Sequence, residues 1–373
     1  MTILSALSSF GSFVRDYCCF RTNQPSFENI IINITAKCNL DCVFCECCDL
    51  DSKNDLSYEE IKEFFGTMAN RGSNKVFLGG GEPFMRKDIW KILKFLKKRE
   101  YKISAVSNGM ILADSDNTRL EIINETIEVI NISLDSSTAE LHNSYRNNNL
   151  AYEKALKAIR RLLKLDKTNV LITTIITAEN FNELPEMVKL TKKIGGTQIS
   201  FQPFSEATNF PDLPPKQKQQ HLVPKGKIIE LKMAIDDTLT KAEELKIMTN
   251  LNSCKNWIYD YFENKGGSLP IHHKMVDHFE CILPFRDLYV RHNGDIQLCA
   301  LLPKISSIRE KKFDEVIKDI KIHTRNITLR KFPPECQRCF CGLDDNIYFS
   351  ILSHPYRNYP YFKRKILSKI TIG

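Results

Sequence analysis

Thirteen cysteines in a chain of 373 residues, gathered in two groups with none between, constrain this sequence more than any other feature. Seven lie from Cys18 to Cys48 and six from Cys254 to Cys341. The count is odd, and the N-terminal segment lacks a basic flank leading into an apolar stretch. Both facts argue against a secreted disulfide framework and for metal ligation in a cytoplasmic protein. The remaining composition is that of a folded globular chain, with 42% hydrophobic and 26% charged residues. No run approaches the roughly 18 apolar residues that a bilayer helix needs. Val170–Thr177 is short and β-branched, and reads as a buried strand. The net charge of +8 is mild for this length and does not by itself indicate a nucleic-acid surface.

From Asn29 to about Ser205 strand-like and helix-like segments alternate. Ile30–Thr35 is an apolar run, followed by a helix from Ser57, which reads as an N-cap with Glu60 three residues on. Val76–Leu78, Lys102–Val106, Glu128–Leu134, Val170–Thr177 and Gln198–Gln202 read as further strands. Lys87–Arg99, Ala151–Leu165 and Asn182–Ile194 read as helices between them. Six strands alternating with helices predict a parallel sheet with right-handed crossovers. About 180 residues is too few for eight units, so the expected α/β fold is a partial (β/α)6 TIM-like barrel. Its ligand site is expected at the C-terminal ends of the strands.

Around this 29–205 core the remaining segments differ in texture. Residues 1–28 form a leader whose Ile3, Leu4, Leu7, Phe10, Phe13 and Val14 recur at helical spacing. Residues 206–280 form a helical connector that opens with prolines, with helical stretches at Lys225–Leu245 and Ser253–Glu263. Residues 281–345 are rich in turns and cysteines and are expected to form a small second domain. The tail, 346–373, carries Arg357, Lys363, Arg364, Lys365 and Lys369. Leader and tail together leave membrane contact as an alternative to packing on the chain's own core.

The first cysteine group contains Cys38-x3-Cys42-x2-Cys45, placed directly after the first strand. Three thiolates on one short loop suit a cubane iron–sulfur cluster that keeps one iron without a protein ligand. A zinc knuckle, with Cys47 or Cys48 as fourth ligand, is the competing reading. With Phe44 before the third cysteine, this stretch resembles the signature of the radical S-adenosylmethionine (SAM) superfamily. That resemblance implies Cys38, Cys42 and Cys45 as ligands of a 4Fe–4S cluster, with SAM chelating the open iron. Reductive cleavage of SAM would then give a 5′-deoxyadenosyl radical that abstracts a substrate hydrogen.

Three further stretches at successive strand ends are similar to the same family. Gly79-Gly80-Gly81-Glu82-Pro83 looks like its GGEP motif, in which Glu82 opposes an ammonium and Gly80 and Gly81 allow close backbone approach. Ser107-Asn108-Gly109 resembles the ribose-binding position. Ser133-Leu134-Asp135, followed by His142 and Arg146, resembles a stretch in which the arginine pairs with the SAM carboxylate. The resemblance thus implies Phe44, Gly80, Gly81, Glu82, Ser107, Asn108, Asp135 and Arg146 as cofactor contacts.

The second cysteine group, Cys281-x12-Gly294-x4-Cys299 followed by Cys336-x2-Cys339-x-Cys341, resembles a SPASM/twitch auxiliary domain. Its shortness points to one auxiliary 4Fe–4S cluster, on Cys281, Cys299, Cys336 and Cys339, with Cys341 competing for the last place. A zinc ribbon is the alternative on spacing alone. The expected activity is radical oxidation, a dehydrogenation, of a small-molecule, sugar-like or peptide substrate, fed by a flavodoxin- or ferredoxin-type electron donor. The 28-residue leader is too short for a peptide-binding winged helix, which favours a small substrate. A cyclase of molybdopterin synthesis ranks lower, because the chain ends Thr371-Ile372-Gly373 and not in a Gly-Gly. Cys254, near a helix N-terminus, is the candidate for a different outcome, as hydrogen donor in an epimerase or peptide maturase. A non-catalytic iron–sulfur or zinc protein that binds nucleic acid through its basic tail is the non-enzyme alternative.

Overall fold

The computed structural model describes residues 3–205, 219–264 and 280–338, together with Phe349 and Ser353. The leader forms helix α1 (Ile3–Thr22). The alternating region follows as β1 (Asn29–Thr35), α2 (Tyr58–Ala69), β2 (Lys75–Gly80), α3 (Ile89–Lys98) and β3 (Lys102–Ser107). It continues as α4 (Asn117–Thr126), β4 (Ile127–Ser133), α5 (Ala139–Arg146), α6 (Ala151–Leu162), β5 (Asn169–Ile176), α7 (Leu184–Lys193) and β6 (Gln198–Pro203). The connector supplies α8 (Ile228–Leu245), a two-residue β7 (Met248–Thr249) and α9 (Leu251–Glu263). The C-terminal segment supplies β8 (Asp287–Val290), β9 (Asp295–Gln297), β10 (Ser306–Ser307) and α10 (Phe313–Thr328).

Strands β1 to β7 lie side by side in chain order, all parallel. This is the open, partial TIM-like barrel that the alternation implies. Ile30, Ile32 and Ile34 of β1 are fully buried under the helices, as are Val76 and Leu78 of β2. Each such side chain contributes roughly 1.5–3 kcal/mol by leaving water. Because side chains alternate along a strand, Ile31, Asn33, Phe77, Gly79, Val106 and Ile175 turn the other way and line an interior cavity. Helix α2 begins as expected: Ser57 Oγ accepts from the Glu60 N–H at 3.2 Å, and Glu60 accepts from the Ser57 N–H at 2.7 Å.

The 281–338 segment does not stand apart from the barrel. Its first strand, β8, pairs in parallel with β1, from Asn29 opposite Asp287 to Ile32 opposite Val290. β9 and β10 then extend the same sheet antiparallel, giving ten strands among the described residues. The reason is geometric: β1 has one edge taken by β2, and β8 covers the other, which would otherwise stay unpaired. Helix α4 runs straight into β4 with Ile127 as its last cap, so no turn residue separates the two. The end of α1 packs on this C-terminal segment. Phe20 is 1% exposed in a cluster with Ile282, Phe285, Ile327 and Phe349. Side chains of residues 3–10, and the basic tail, lie outside the described residues. Among the described residues no helix is long and apolar enough to cross a membrane.

Candidate active site

At the end of β1 the chain turns into the loop that carries Cys38, Cys42 and Cys45. Its entry is tied to the end of β2 by two backbone hydrogen bonds: Gly81 N–H to Thr35 O and Glu82 N–H to Lys37 O, both 2.8 Å. Only glycine permits this approach. A Cβ on Gly81 would lie 2.2 Å from Lys37 O, and one on Gly80, which has φ +114°, would lie 2.4 Å from Thr35 O. Further along, Val43 N–H donates to Tyr145 O at 3.0 Å, which fixes the loop to the end of α5. Phe44 packs among Tyr145, Phe204 and His221, and the Arg146 guanidinium lies 5.7 Å from its ring centre.

Charged and polar groups from the next three strand ends and from α5 converge on this loop. Glu82, 1% exposed, accepts from Asn108 N–H at 2.8 Å, from Ser107 Oγ–H at 3.0 Å and from Phe84 N–H at 3.2 Å. Burial nevertheless raises its pKa to about 7. Asn108 also donates to Asn39 Oδ1 at 2.8 Å, so Ser107 and Asn108 act by holding Glu82 and the cysteine loop. Arg146 reaches Cys42 Sγ at 3.7 Å and makes a charge-assisted hydrogen bond to Asp135. Burial works against the Arg146 charge, but Asp135 and Cys42 outweigh it and push the pKa up. Asp135 itself is fully buried, and its other oxygen accepts from Ile175 N–H at 3.1 Å. It orients the arginine. His142 accepts from Asp135 N–H at 3.1 Å through Nδ1, and burial lowers its pKa to about 4.

Below the loop lies a cavity of about 680 Å3 inside the barrel. Cys45, Glu46 and Cys47 form part of its rim, and Cys254 and Trp257 of α9 form another part of its wall. Gln202, Asn250, Tyr289, Gln297 and Ala300 supply the rest of its polar character and its border with the C-terminal hairpin. Helix α9 starts at Leu251, two residues earlier than the sequence suggests, because Asn250 O accepts from both Ser253 and Cys254 N–H groups. Cys254 therefore lies within the first turn, 9% exposed. Cys47, a candidate fourth ligand in the zinc reading, donates its thiol hydrogen to Gly80 O at 3.2 Å and bonds with Cys45. That bond lowers the Cys45 pKa to about 6, while burial raises Cys38 to about 11.

Cys281, Cys299 and Cys336 are half-buried against the main core. Cys339 and Cys341 lie outside the described residues, as does the side chain of Cys48. The ten described cysteines are all thiols. Among the described residues no three His, Cys, Asp or Glu side chains gather closely enough for a single metal ion. The N-terminal loop does fit a larger group chelated by SAM. It offers three thiols, the buried carboxylate of Glu82, the buried Arg146, and a backbone cradle that a Cβ would fill. The residues that pattern reading missed, Asn33, Glu46, Trp257 and Gln297 among them, share only their position on the cavity side of an element.

An open parallel barrel with three cysteines on its first loop, carboxylates at the following strand ends and an arginine at the end of α5 is the arrangement that the strand-end motifs lead one to expect. Residues 32–191 match the family described as the Radical SAM superfamily. That stretch is similar to radical SAM enzymes, and the likeness implies a 4Fe–4S cluster and SAM. It is similar to the AdoMet-dependent heme synthase of Methanosarcina barkeri, 29% identical over 47% of this chain and 49% of that protein. It is equally similar to the mycofactocin maturase MftC of Mycobacterium tuberculosis, 29% identical over 50% of this chain and 48% of the maturase. The matched stretch thus spans about half the length of these curated relatives. In fold it resembles Streptococcus suis SuiB bound to its precursor peptide SuiA, with a TM-score of 0.60 at 17% identity, over 81% of this chain and 67% of SuiB.

Proposed function

We propose that this chain binds SAM over the ends of β1 to β4 and oxidises a carbon of a peptide substrate held in the barrel cavity. One observation carries the reading: a single cavity of about 680 Å3 is bordered by Cys45, by Cys254 and by Ala300, the neighbour of Cys299. A substrate there lies between the radical-generating loop and the second cysteine group. Cys38, Cys42 and Cys45 would hold the first cluster, and Cys281, Cys299, Cys336 and Cys339 an auxiliary one. When bound, these groups and SAM supply a 5′-deoxyadenosyl radical and an acceptor for one electron, with an external flavodoxin- or ferredoxin-type protein as reductant.

The chain's own residues do the rest. Glu82 opposes the SAM ammonium, and that contact restores the charge that burial disfavours. Arg146, kept charged by Asp135, faces the SAM carboxylate. Phe44, packed on three aromatic neighbours, keeps water from the nucleoside side. The aromatic and amide wall of Phe77, Phe201, Trp257, Asn33 and Gln202 suits a peptide side chain flanked by backbone amides. A relative named as a mycofactocin maturase, and a fold shared with SuiB bound to its precursor peptide, support a peptide over a sugar-like substrate.

The test is anaerobic turnover by the full chain with reductant, SAM and candidate short peptides. The expected product has lost two hydrogens, one as an atom to 5′-deoxyadenosine, which appears in equal amount, and one as a proton to solvent with its electron passing to the auxiliary acceptor. A protein that makes no 5′-deoxyadenosine ends the reading. The second reading is epimerisation, favoured by the Cys254 thiol on the wall of the same cavity. In deuterated water an epimerase would place one solvent deuterium on the inverted carbon, and Cys254→Ala would stop at hydrogen abstraction.

A further inference from the structure

The segment that leaves the cysteine loop, residues 54–60, is gripped by the C-terminal hairpin. Leu56 N–H donates to His292 O at 2.7 Å, and the His292 imidazole lies 3.0 Å from Asp55 Oδ1. Arg309 donates to Asn54 O at 2.9 Å and to Asp55 O at 3.1 Å. The His292 side chain is 5% exposed and that of Asp55 17%. Asp55 in turn holds the other end of the loop. It accepts from Ala36 N–H at 2.9 Å and from the Thr35 hydroxyl, whose oxygen accepts from Lys37 N–H at 3.0 Å. Lys37 O is the group that meets Glu82 N–H, and Cys38 is the next residue.

A continuous line of hydrogen bonds therefore runs from the turn between β8 and β9, through Asp55, to residues 35–37 and on to the Gly81–Glu82 strap. Asp55 lies seventeen residues beyond Cys38 in the chain and touches no group assigned above to SAM. Its carboxylate has acceptors for all of these donors at once, and the hydrogen bonds from His292, Thr35 and Ala36 offset its burial and hold its pKa down.

We propose that Asp55, held by His292, is a positioning residue through which the C-terminal hairpin sets the geometry of the SAM-binding loop. The proposal rests on the SAM site described under the proposed function. It makes the affinity for SAM depend on a histidine of the second cysteine region that contacts neither SAM nor any cysteine assigned as a ligand. The physical link is rigid and short, because both ends of the loop hang on one carboxylate. Removing either His292 or the charge of Asp55 lets residues 35–37 shift against the strap.

The experiment is a double-mutant cycle on anaerobically purified full-length protein, with SAM affinity measured by equilibrium dialysis and iron content measured alongside. Asp55→Asn is expected to weaken SAM binding about tenfold and His292→Gln about fivefold, the size of an ordinary coupling. Iron content should stay unchanged. The double variant should bind within about twofold of Asp55→Asn alone, since the two act through one contact. Losses that multiply, or unchanged affinity in both single variants, would overturn the coupling while leaving the SAM site standing. Wild-type protein that does not bind SAM would overturn both. Hydrogen–deuterium exchange of His292→Gln without SAM gives a second readout. Faster exchange at residues 36–42 is expected, and protection equal to wild type would refute the link.

Discussion

Cys38, Cys42 and Cys45 sit on one short loop, whereas Cys281, Cys299 and Cys336 come from the approach to β8, the end of β9 and a short 3-10 helix, Pro334–Arg338. The first set is oriented from all sides. Strand ends β2, β3 and β4 contribute Glu82, Ser107 with Asn108, and Asp135, and the end of α5 contributes Arg146, every one of them hydrogen-bonded. The second set packs half-buried on the rim of the same sheet. The difference teaches that one sheet can gather cysteines in two ways: at strand ends, where charge and backbone converge, and by folding a hairpin back onto β1.

The comparison breaks most sharply in the first set. Anaerobically purified protein is expected to hold about eight irons, four per cluster. Replacing Cys38, Cys42 and Cys45 with alanine should halve that and reduce SAM cleavage to background. Retained cleavage in the triple variant would remove the loop from the chemistry. Gly81→Ala tests the same site without touching a thiol. Its Cβ has no room against Lys37 O, so the strap must move by about an ångström, and SAM cleavage should fall about 100-fold. Activity near wild type, measured as 5′-deoxyadenosine per minute, would mean that the strap is not part of the site.

The second set should respond in the opposite way. With Cys281 and Cys299 both changed to serine, iron should again fall by about four per chain, while SAM cleavage persists and oxidised product disappears. If that variant loses SAM cleavage instead, the two sets are not separable in function. Losing no iron would mean that they hold no cluster.

How legible this was differs along the same line. The barrel order, the Ser57 capping box and the strand-end motifs were readable because each is local: a periodicity, a cap, a glycine that a close approach requires. Helix α4 was not, since Asn117–Thr126 passes into β4 without a punctuating Gly or Pro. Nor was β8, whose four residues gain their meaning only by pairing with β1. The cavity wall was legible in part. Cys254 stands out as a lone thiol, but Trp257 and Gln297 look like ordinary core residues until the sheet closes around them. Asp55 and His292 lie more than two hundred residues apart, and no spacing rule joins them.

The smallest expected effect lies at the seam between the two regions, where Arg309 pairs with Glu60 through Nε at 2.6 Å and through a second nitrogen at 3.0 Å. The Arg309 hydrogen bond leads in lowering the Glu60 pKa from 4.5 to about 2. A carboxylate whose folded pKa is depressed contributes stability above its ordinary value, and loses it as the pH falls toward the folded one. The pair should therefore help at neutral pH, fade below about pH 4.5, and be nearly gone by about pH 2. Both side chains are about one-third exposed, so screening by water and salt keeps the contribution to at most about 1 kcal/mol. Arg309→Ala should lower Tm by about 1–2 °C at neutral pH. The gap between variant and wild type should narrow on acidification and with added salt. Because Arg309 also donates to the backbone at Asn54 and Asp55, part of the loss should survive at low pH, where only the carboxylate has been neutralised. Parallel Tm curves for variant and wild type across the whole pH range would show that the backbone contacts alone hold the seam.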